Sequence, residues 1–238
     1  QGIAAANVKR ELPAVISDTC EDALRNGVQG ILEEVSYSRE LKGPDVKRAV
    51  HFASLLTTAT QDIELAECDL VIEAVVERAD VKQEVYARLE AQLAEEAILA
   101  TNTSTLPISD LAANLAHPDR FLGIHFFNPV RKMPLVEIIR GSATSDLAVA
   151  TAVAYAKHIK KSPIVVQDGP GFLVNRLLLP YMSEAVELLL EGASPKSIDR
   201  AATRFGMPMG PLHLYDVVGL DVAAHAGETM LKAFPDRV

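Results

Sequence analysis

Tryptophan is absent from the 238-residue sequence, and aromatic residues make up only 5% of it. A folded core must therefore be aliphatic, and the hydrophobic content of 49% is enough to build one, which excludes a disordered chain. No apolar run approaches the length of a membrane span, and the start lacks the basic and apolar regions of a signal peptide. We therefore predict a globular protein without a membrane span.

Cysteine and basic residues are also scarce. Cys20 and Cys68 lie in apolar surroundings without metal-ligand spacing, so we predict buried, reduced thiols and no bound metal. The 23 Lys and Arg residues are outnumbered by 32 Asp and Glu residues, for a net charge of −9. This excess of acid argues against a nucleic-acid partner, because no basic patch offsets phosphate repulsion.

Short apolar runs alternate with helical periodicity through the first two-thirds of the chain. Strands are predicted at 15–18, 70–76, 97–101, 121–127, 135–139 and 163–166, and helices at 20–38, from Pro44, at 79–93, after Pro107 and at 145–159. This alternation favours parallel pairing with helices on both faces. The fold class is thus α/β: a Rossmann-like, doubly wound, mainly parallel sheet. Its first strand is missing, because Gln1 already lies in a helix-like segment.

The pattern changes near Asp168. Beyond it only helical segments are predicted, at 172–190, from Ser194-Pro195 and at 217–233. We therefore predict two domains, with residues 1–167 forming the α/β domain and residues 168–238 an all-helical one.

One histidine and one glutamate lie in neighbouring predicted strands. His125 ends an apolar run, and Glu137 lies within the next one. A carboxylate beside an imidazole fixes its tautomer and stabilises its charged form, which suits proton transfer near neutral pH. A strand histidine is also a common structural group, and a strand glutamate often faces solvent. The spacing alone leaves both interpretations open.

Other polar residues follow predicted strands, where ligands bind in open α/β sheets. Asp18 is placed to receive the ribose hydroxyls of NAD, or to cap the next helix. The cluster 101–105 lines the ligand crevice or caps the helix after Pro107. Glu77 and Lys82 lie at the crevice edge, or are a helix-start acid and a surface lysine. Asn175 lies one turn inside the helix that follows the 169–171 turn.

Several segments, in this order, resemble the 3-hydroxyacyl-CoA dehydrogenase family. They are Val75-Val76-Glu77 with Lys82, 101–106, 123–130 with 135–139, 168–176 and 205–221. The segment 191–199 is more similar to the dehydrogenase portion of multifunctional fatty-acid-oxidation proteins. The resemblance implies an oxidoreductase of fatty-acid β-oxidation that converts a 3-hydroxyacyl-CoA to a 3-ketoacyl-CoA with NAD.

The resemblance also implies roles for individual residues. His125 takes the proton from the 3-hydroxyl, Glu137 orients it, and Ser104 hydrogen-bonds the reacting oxygen. Asn128 and Asn175 lie around the substrate and the catalytic histidine. The positions that bind the cofactor are Asp18, Glu77, Lys82 and Asn102.

The family pattern extends beyond both ends of this sequence. Its first strand and Gly-rich turn would precede Gln1, and its helical domain runs beyond Val238, so we expect a truncated NAD-binding domain and an incomplete helical one. The helical domain is expected to form a homodimer, or to pack on a second helical repeat of a longer chain, through the apolar helix 177–190. The expected location is the bacterial cytoplasm or, in a eukaryote, the mitochondrion or peroxisome.

Two other functions are alternatives to this one. A non-catalytic binding or structural protein on the same fold, without a complete dinucleotide site, stays open. A β-hydroxyacid dehydrogenase is less favoured, because that class uses a lysine in its helical region and this sequence has none between Lys161 and Lys196.

Overall fold

The computed structural model describes residues 1–235 and divides the chain into two compact units. The first comprises Gln1–Thr103 and Ile108–Asp168, and the second comprises Ser104–Pro107 and Gly169–Val238. The division after Asp168 lies one residue beyond the predicted boundary, and the short segment Ser104–Pro107 groups with the second unit. Residues 236–238, the last three of the predicted helical domain, lie outside the described residues.

The first unit alternates strands and helices, as the sequence pattern predicts. Its strands are β1 (Ala14–Ser17), β2 (Tyr37–Ser38), β3 (Gly43–Pro44), β4 (Leu56–Ala59), β5 (Leu70–Glu73), β6 (Ile98–Thr101), β7 (Phe121–Phe126), β8 (Leu135–Arg140) and β9 (Ser162–Gln167). Its helices are α1 (Gly2–Val8), α2 (Glu21–Ser36), α3 (Val46–Ala53), α4 (Ala79–Glu90), α5 (Ile108–Leu111) and α6 (Asp146–His158).

The main sheet has the strand order β5-β6-β7-β8-β9 and is parallel except between β7 and β8. Strands β1 and β4 form a separate parallel pair. Within residues 1–235, β1 pairs only with β4, and β5 pairs only with β6. The predicted Rossmann-like, mainly parallel fold is confirmed.

The core of the first unit is mainly aliphatic, as the lack of tryptophan requires, with Tyr86, Phe121 and Phe126 among its buried aromatic side chains. Strands β6 and β7 are buried along their whole length. Helix α6 covers the sheet with Ala148, Ala152 and Ala156, whose spacing of four residues places them on one buried stripe. These small side chains let the helix backbone lie close to the strands beneath it.

The second unit is helical in its described part. Its helices are α7 (Val174–Leu190), α8 (Pro195–Phe205), α9 (Pro211–Val218) and α10 (Leu220–Ala233). Ser194 caps α8 by accepting a hydrogen bond from the backbone N–H of Ser197, and Pro195 occupies the first turn, as predicted. No helix found within residues 1–235 combines the length and apolarity that a membrane crossing requires.

Some helix and strand boundaries differ from the prediction. Pro44 does not open a helix but lies in β3, because Asp45 caps α3 by accepting from the backbone N–H of Lys47. The predicted strand 70–76 ends at Glu73, since the N–H of Val75 bonds to the Glu73 carboxylate rather than to a neighbouring strand. The predicted helix 217–233 begins only at Leu220.

The prediction of two buried thiols is wrong. Cys20 is exposed at the N-cap of α2, and Cys68 is half-buried. Burial and two neighbouring acids raise the pKa of Cys68. Neither cysteine is in a disulfide, which agrees with reduced thiols.

Candidate active site

His125 and Glu137 lie opposite each other on the antiparallel strands β7 and β8. Opposite residues of such a pair project from the same face of the sheet, so the register itself brings the two side chains together. Nδ1 of His125 lies 2.8 Å from Oε2 of Glu137. The two residues are only 5% and 0% exposed.

This contact fixes how the imidazole is protonated. A carboxylate can only accept a hydrogen bond, so Nδ1 donates, and the neutral ring carries its lone pair on Nε2. The ring of Phe127 packs against the imidazole at a centroid distance of 4.5 Å. The pair can therefore accept a proton at Nε2 and stabilise the resulting imidazolium in apolar surroundings.

Asn102 follows β6 and holds the end of β7. Its Oδ1 accepts the backbone N–H of Phe126 at 2.9 Å, and its own backbone N–H donates to the Glu73 carbonyl at 2.8 Å. Because β6 and β7 are parallel, their carboxyl ends lie at the same edge of the sheet. Asn102 thus anchors the residue next to His125, a contact that the sequence did not indicate; its role toward NAD stays a prediction.

A buried polar network lies beneath the ends of β5 and β6. The Glu73 carboxylate accepts from Lys82 Nζ at 2.9 Å, from Tyr86 Oη at 2.6 Å and from Thr101 Oγ1 at 2.9 Å. Burial, followed by the hydrogen bond to Glu73, raises the pKa of Tyr86 far above its ordinary value. The surface-lysine alternative for Lys82 is wrong, because its side chain is 1% exposed.

Glu73 is a member of this network that was not predicted from the sequence. A usable signal was present, because Glu73 is a single acid inside the otherwise apolar run 70–76. A buried carboxylate needs partners, but the sequence does not show that Lys82 and Tyr86, on another element, supply them.

Glu77 connects this network to the protein surface. Its Oε2 lies 3.3 Å from Lys82 Nζ, and its Oε1 accepts a hydrogen bond from Thr103 Oγ1. The Glu77 side chain is 33% exposed. The carboxylate therefore sits at the carboxyl ends of β5 and β6, oriented from both sides and reachable from solvent.

In the second unit, the structure brings together the predicted residues Ser104 and Asn175. Nδ2 of Asn175, in the first turn of α7, donates to the Ser104 carbonyl at 3.1 Å. Gly171, in the turn before α7, has φ +68°, and an added Cβ would lie 2.8 Å from Met230 Sδ. A glycine is therefore favoured at this position in the turn that leads into α7.

Asp18 and Asn128 are exposed. Asp18 follows β1, and its Oδ1 accepts the N–H of Cys20 at 2.9 Å, so it stabilises the turn that enters α2. Asn128 follows β7 and precedes the cis bond to Pro129. Their predicted roles toward cofactor and substrate stay predictions.

The side chains at these strand ends fit a dinucleotide without a 2′-phosphate. Asp18 and Glu77 are acids that can accept hydrogen bonds from hydroxyl or amide groups, and both follow parallel strands. Thr19, rather than a basic residue, follows Asp18, so an added phosphate there would meet a carboxylate without a neighbouring cation. Within residues 1–235, no group of three or more His, Cys, Asp or Glu side chains could hold a metal ion.

Comparison with family models assigns both units. Residues 1–169 match the model described as "3-hydroxyacyl-CoA dehydrogenase, NAD binding domain", and residues 171–238 match "3-hydroxyacyl-CoA dehydrogenase, C-terminal domain". The chain is 45% identical to the fatty acid oxidation complex subunit alpha of Pseudomonas putida over 244 aligned residues, which cover 100% of this chain and 33% of that protein. It thus spans about a third of the length of the curated relatives it matches.

Solved structures agree in fold. An (S)-3-hydroxybutyryl-CoA dehydrogenase from Ralstonia eutropha superposes with a TM-score of 0.93 and 37% identity, covering 99% of this chain and 84% of that one. A 3-hydroxybutyryl-CoA dehydrogenase from Escherichia coli superposes with a TM-score of 0.90 and 36% identity, covering 98% of this chain and 50% of that one.

Proposed function

Because this chain belongs to the 3-hydroxyacyl-CoA dehydrogenase family, we propose that it oxidises a 3-hydroxyacyl-CoA to a 3-ketoacyl-CoA with NAD. The observation that carries this proposal is the buried pair of His125 and Glu137, 2.8 Å apart. The match of residues 1–169 to the family's NAD binding domain supports the cofactor. The name of the Pseudomonas putida relative supports a place in fatty-acid oxidation.

His125 is the general base in this proposal. Its Nε2 takes the proton from the 3-hydroxyl as the substrate's C3–H bond breaks, and Glu137 stabilises the imidazolium that forms. NAD, when bound, supplies the acceptor for the hydride. The burial of both side chains excludes water and strengthens their electrostatic interaction.

Substrate contacts are assigned to Ser104, Asn128 and Asn175. The Ser104 hydroxyl donates to the 3-oxygen of the substrate, and Asn128 contacts the acyl-CoA. Asn175 supports Ser104 through the hydrogen bond from its Nδ2 to the Ser104 carbonyl. This bond restrains the backbone at position 104 and with it the direction of the hydroxyl.

Asp18, Glu77, Asn102 and Lys82 form the NAD site. The exposed Asp18 carboxylate accepts hydrogen bonds from the ribose hydroxyls next to the adenine. Glu77 accepts from a hydroxyl or amide group of the cofactor, because its carboxylate is partly exposed at the strand ends. Asn102 is a further cofactor-binding residue in this proposal. Lys82 contributes to the site through its contact with the Glu77 carboxylate.

The helical unit has a partner in this proposal, either a second copy or a second helical repeat of a longer chain. Leu177, Leu190 and Phe205 are large apolar side chains exposed on α7 and α8. Burying such residues against a partner would be favourable. Analytical ultracentrifugation of the protein tests self-association.

A location in the bacterial cytoplasm is supported by the bacterial origin of the relatives.

The experiment that tests the function is the substitution His125→Gln. It should lower kcat by about 10²- to 10⁴-fold, the range for losing a general base, while the binding of NADH stays unchanged. Formation of NADH from NAD and 3-hydroxybutyryl-CoA is followed by its absorbance. The matched control is His117→Gln, since His117 is an exposed histidine before β7. Near-normal turnover by the His125 variant would exclude this base.

The same assay separates the enzyme from a non-catalytic binding protein on this fold. Such a protein would bind NADH or acyl-CoA without turnover, and His125→Gln would change neither affinity.

A further inference from the structure

Lys82 lies between two carboxylates that differ in exposure. Its Nζ is 2.9 Å from Oε1 of Glu73, which is buried, and 3.3 Å from Oε2 of Glu77, which is 33% exposed. Burying an ammonium group is costly unless it is paired and hydrogen-bonded. Both requirements are met here, because the carboxylates of Glu73, the last residue of β5, and of Glu77, four residues later, both contact the Lys82 ammonium.

Glu73 has no direct access to a ligand. Besides Lys82, its carboxylate accepts hydrogen bonds from Tyr86, Thr101 and the backbone N–H of Val75. These donors occupy both carboxylate oxygens, and the residue is 4% exposed. Any effect of Glu73 on a bound molecule must therefore pass through another side chain.

Glu77 is the side chain through which such an effect can pass. Lys82 holds one of its oxygens, and Thr103 holds the other. Two directional contacts fix the carboxylate in one orientation, whereas a glutamate without them would sample several rotamers. The orientation of Glu77 thus depends on the position of Lys82, which the buried Glu73 sets.

We propose that Glu73 is a positioning residue for the cofactor site, which fixes the Lys82 ammonium so that Lys82 holds the Glu77 carboxylate toward NAD. This inference rests on the proposed function, because the contact from Glu77 to NAD is part of it. The alternative is that the pair of Glu73 and Lys82 only stabilises the fold. Neutral side chains of similar volume can replace a buried ion pair without loss of stability, so stability and positioning can be separated.

The experiment compares Glu73→Gln with the double variant Glu73→Gln/Lys82→Met. The dissociation constant of NADH is measured by its fluorescence, and Tm is measured in parallel. Glu73→Gln should lower Tm and weaken NADH binding about tenfold, as expected for loss of one hydrogen bond to a charged group. The double variant should recover Tm, because no buried charge is left unpaired, but it should not recover NADH affinity.

Steady-state kinetics supply a second measurement. In both variants KM for NAD should rise about tenfold, whereas kcat at saturating NAD and KM for 3-hydroxybutyryl-CoA should change less than about twofold. The matched control is Glu90→Gln. Glu90 is the last residue of α4, the helix that carries Lys82 near its start, and its carboxylate accepts hydrogen bonds from the backbone N–H groups of Ala116 and His117. This control should lower Tm without changing NADH affinity.

Each outcome decides the question. Recovery of both Tm and NADH affinity in the double variant overturns the positioning role and leaves the proposed function intact. Wild-type affinity in Glu73→Gln does the same. If Glu73→Gln does not fold, Thr101→Val, which removes one donor to Glu73, replaces it and should weaken NADH binding in the same direction. A wild-type protein that binds no NADH overturns the proposed function, and the positioning role with it.

Discussion

The substitution Glu137→Gln tests the pair on which the proposed chemistry depends. Glutamine has nearly the same volume, so the buried space that the Glu137 side chain occupies stays filled. Its amide can present an oxygen or an NH₂ group to His125 Nδ1. If the NH₂ group faces the ring, the proton moves to Nε2, and the imidazole can no longer act as a base there.

The size of the effect follows from the contact. The hydrogen bond of 2.8 Å joins a carboxylate to a buried imidazole that becomes charged during the reaction. A charge-assisted bond of this kind contributes about 1.5–3 kcal/mol, which is roughly a 10- to 150-fold loss in kcat if only the bond is lost. A reversed tautomer costs more, up to about 10⁴-fold by analogy with the corresponding change in a serine protease.

The assay is the formation of NADH under saturating NAD and 3-hydroxybutyryl-CoA, with NADH binding and Tm measured alongside. Arg140→Gln is the control on the same strand, because Arg140 makes its ion pair with the exposed Asp146. It should leave kcat within about twofold. An unchanged kcat in Glu137→Gln would show that Glu137 takes no part in the reaction.

Two further predictions concern stability. The Asp168 carboxylate accepts hydrogen bonds from the backbone N–H groups of Ile108 and Ser109 at 2.8 and 2.7 Å. Asp168→Asn should therefore lower the free energy of unfolding, measured by urea titration, by about 2 kcal/mol. A loss below about 0.5 kcal/mol would contradict this prediction. Burial raises the pKa of Tyr86 above its ordinary 10.0, so the unfolded chain loses this proton first, and stability should fall as pH rises above about 10. Tyr86→Phe should flatten that decline; an unchanged slope would refute the assignment.

Most of the longer strands and helices are predictable from the sequence because they have clear periodicity, whereas the short elements β2, β3, β4 and α9 were not predicted. The sequence could not give the register of β7 and β8. A slip of one residue would point His125 and Glu137 to opposite faces of the sheet, and the long connection 127–134 does not set the pairing as a tight turn would. The register is decided by how the inward-facing side chains of both strands pack.

The network around Glu73 was beyond sequence reasoning for another reason. A lysine in the first turn of an exposed-looking helix is normally solvated, and nothing local distinguishes Lys82 from that case. Its burial depends on a carboxylate nine positions earlier, in a strand, together with Tyr86 and Thr101. Partnerships between different elements appear only once the chain is folded.

The grouping of Ser104–Pro107 with the helical unit has a consequence for dissecting this protein. The backbone passes from one unit to the other after Thr103, returns after Pro107 and passes again after Asp168, so one cut cannot yield both units intact. A gene fragment that starts at Gly169 would encode α7 without the carbonyl that accepts from Asn175. Swapping helical units between relatives would need a four-residue graft at 104–107 as well as the junction at 168.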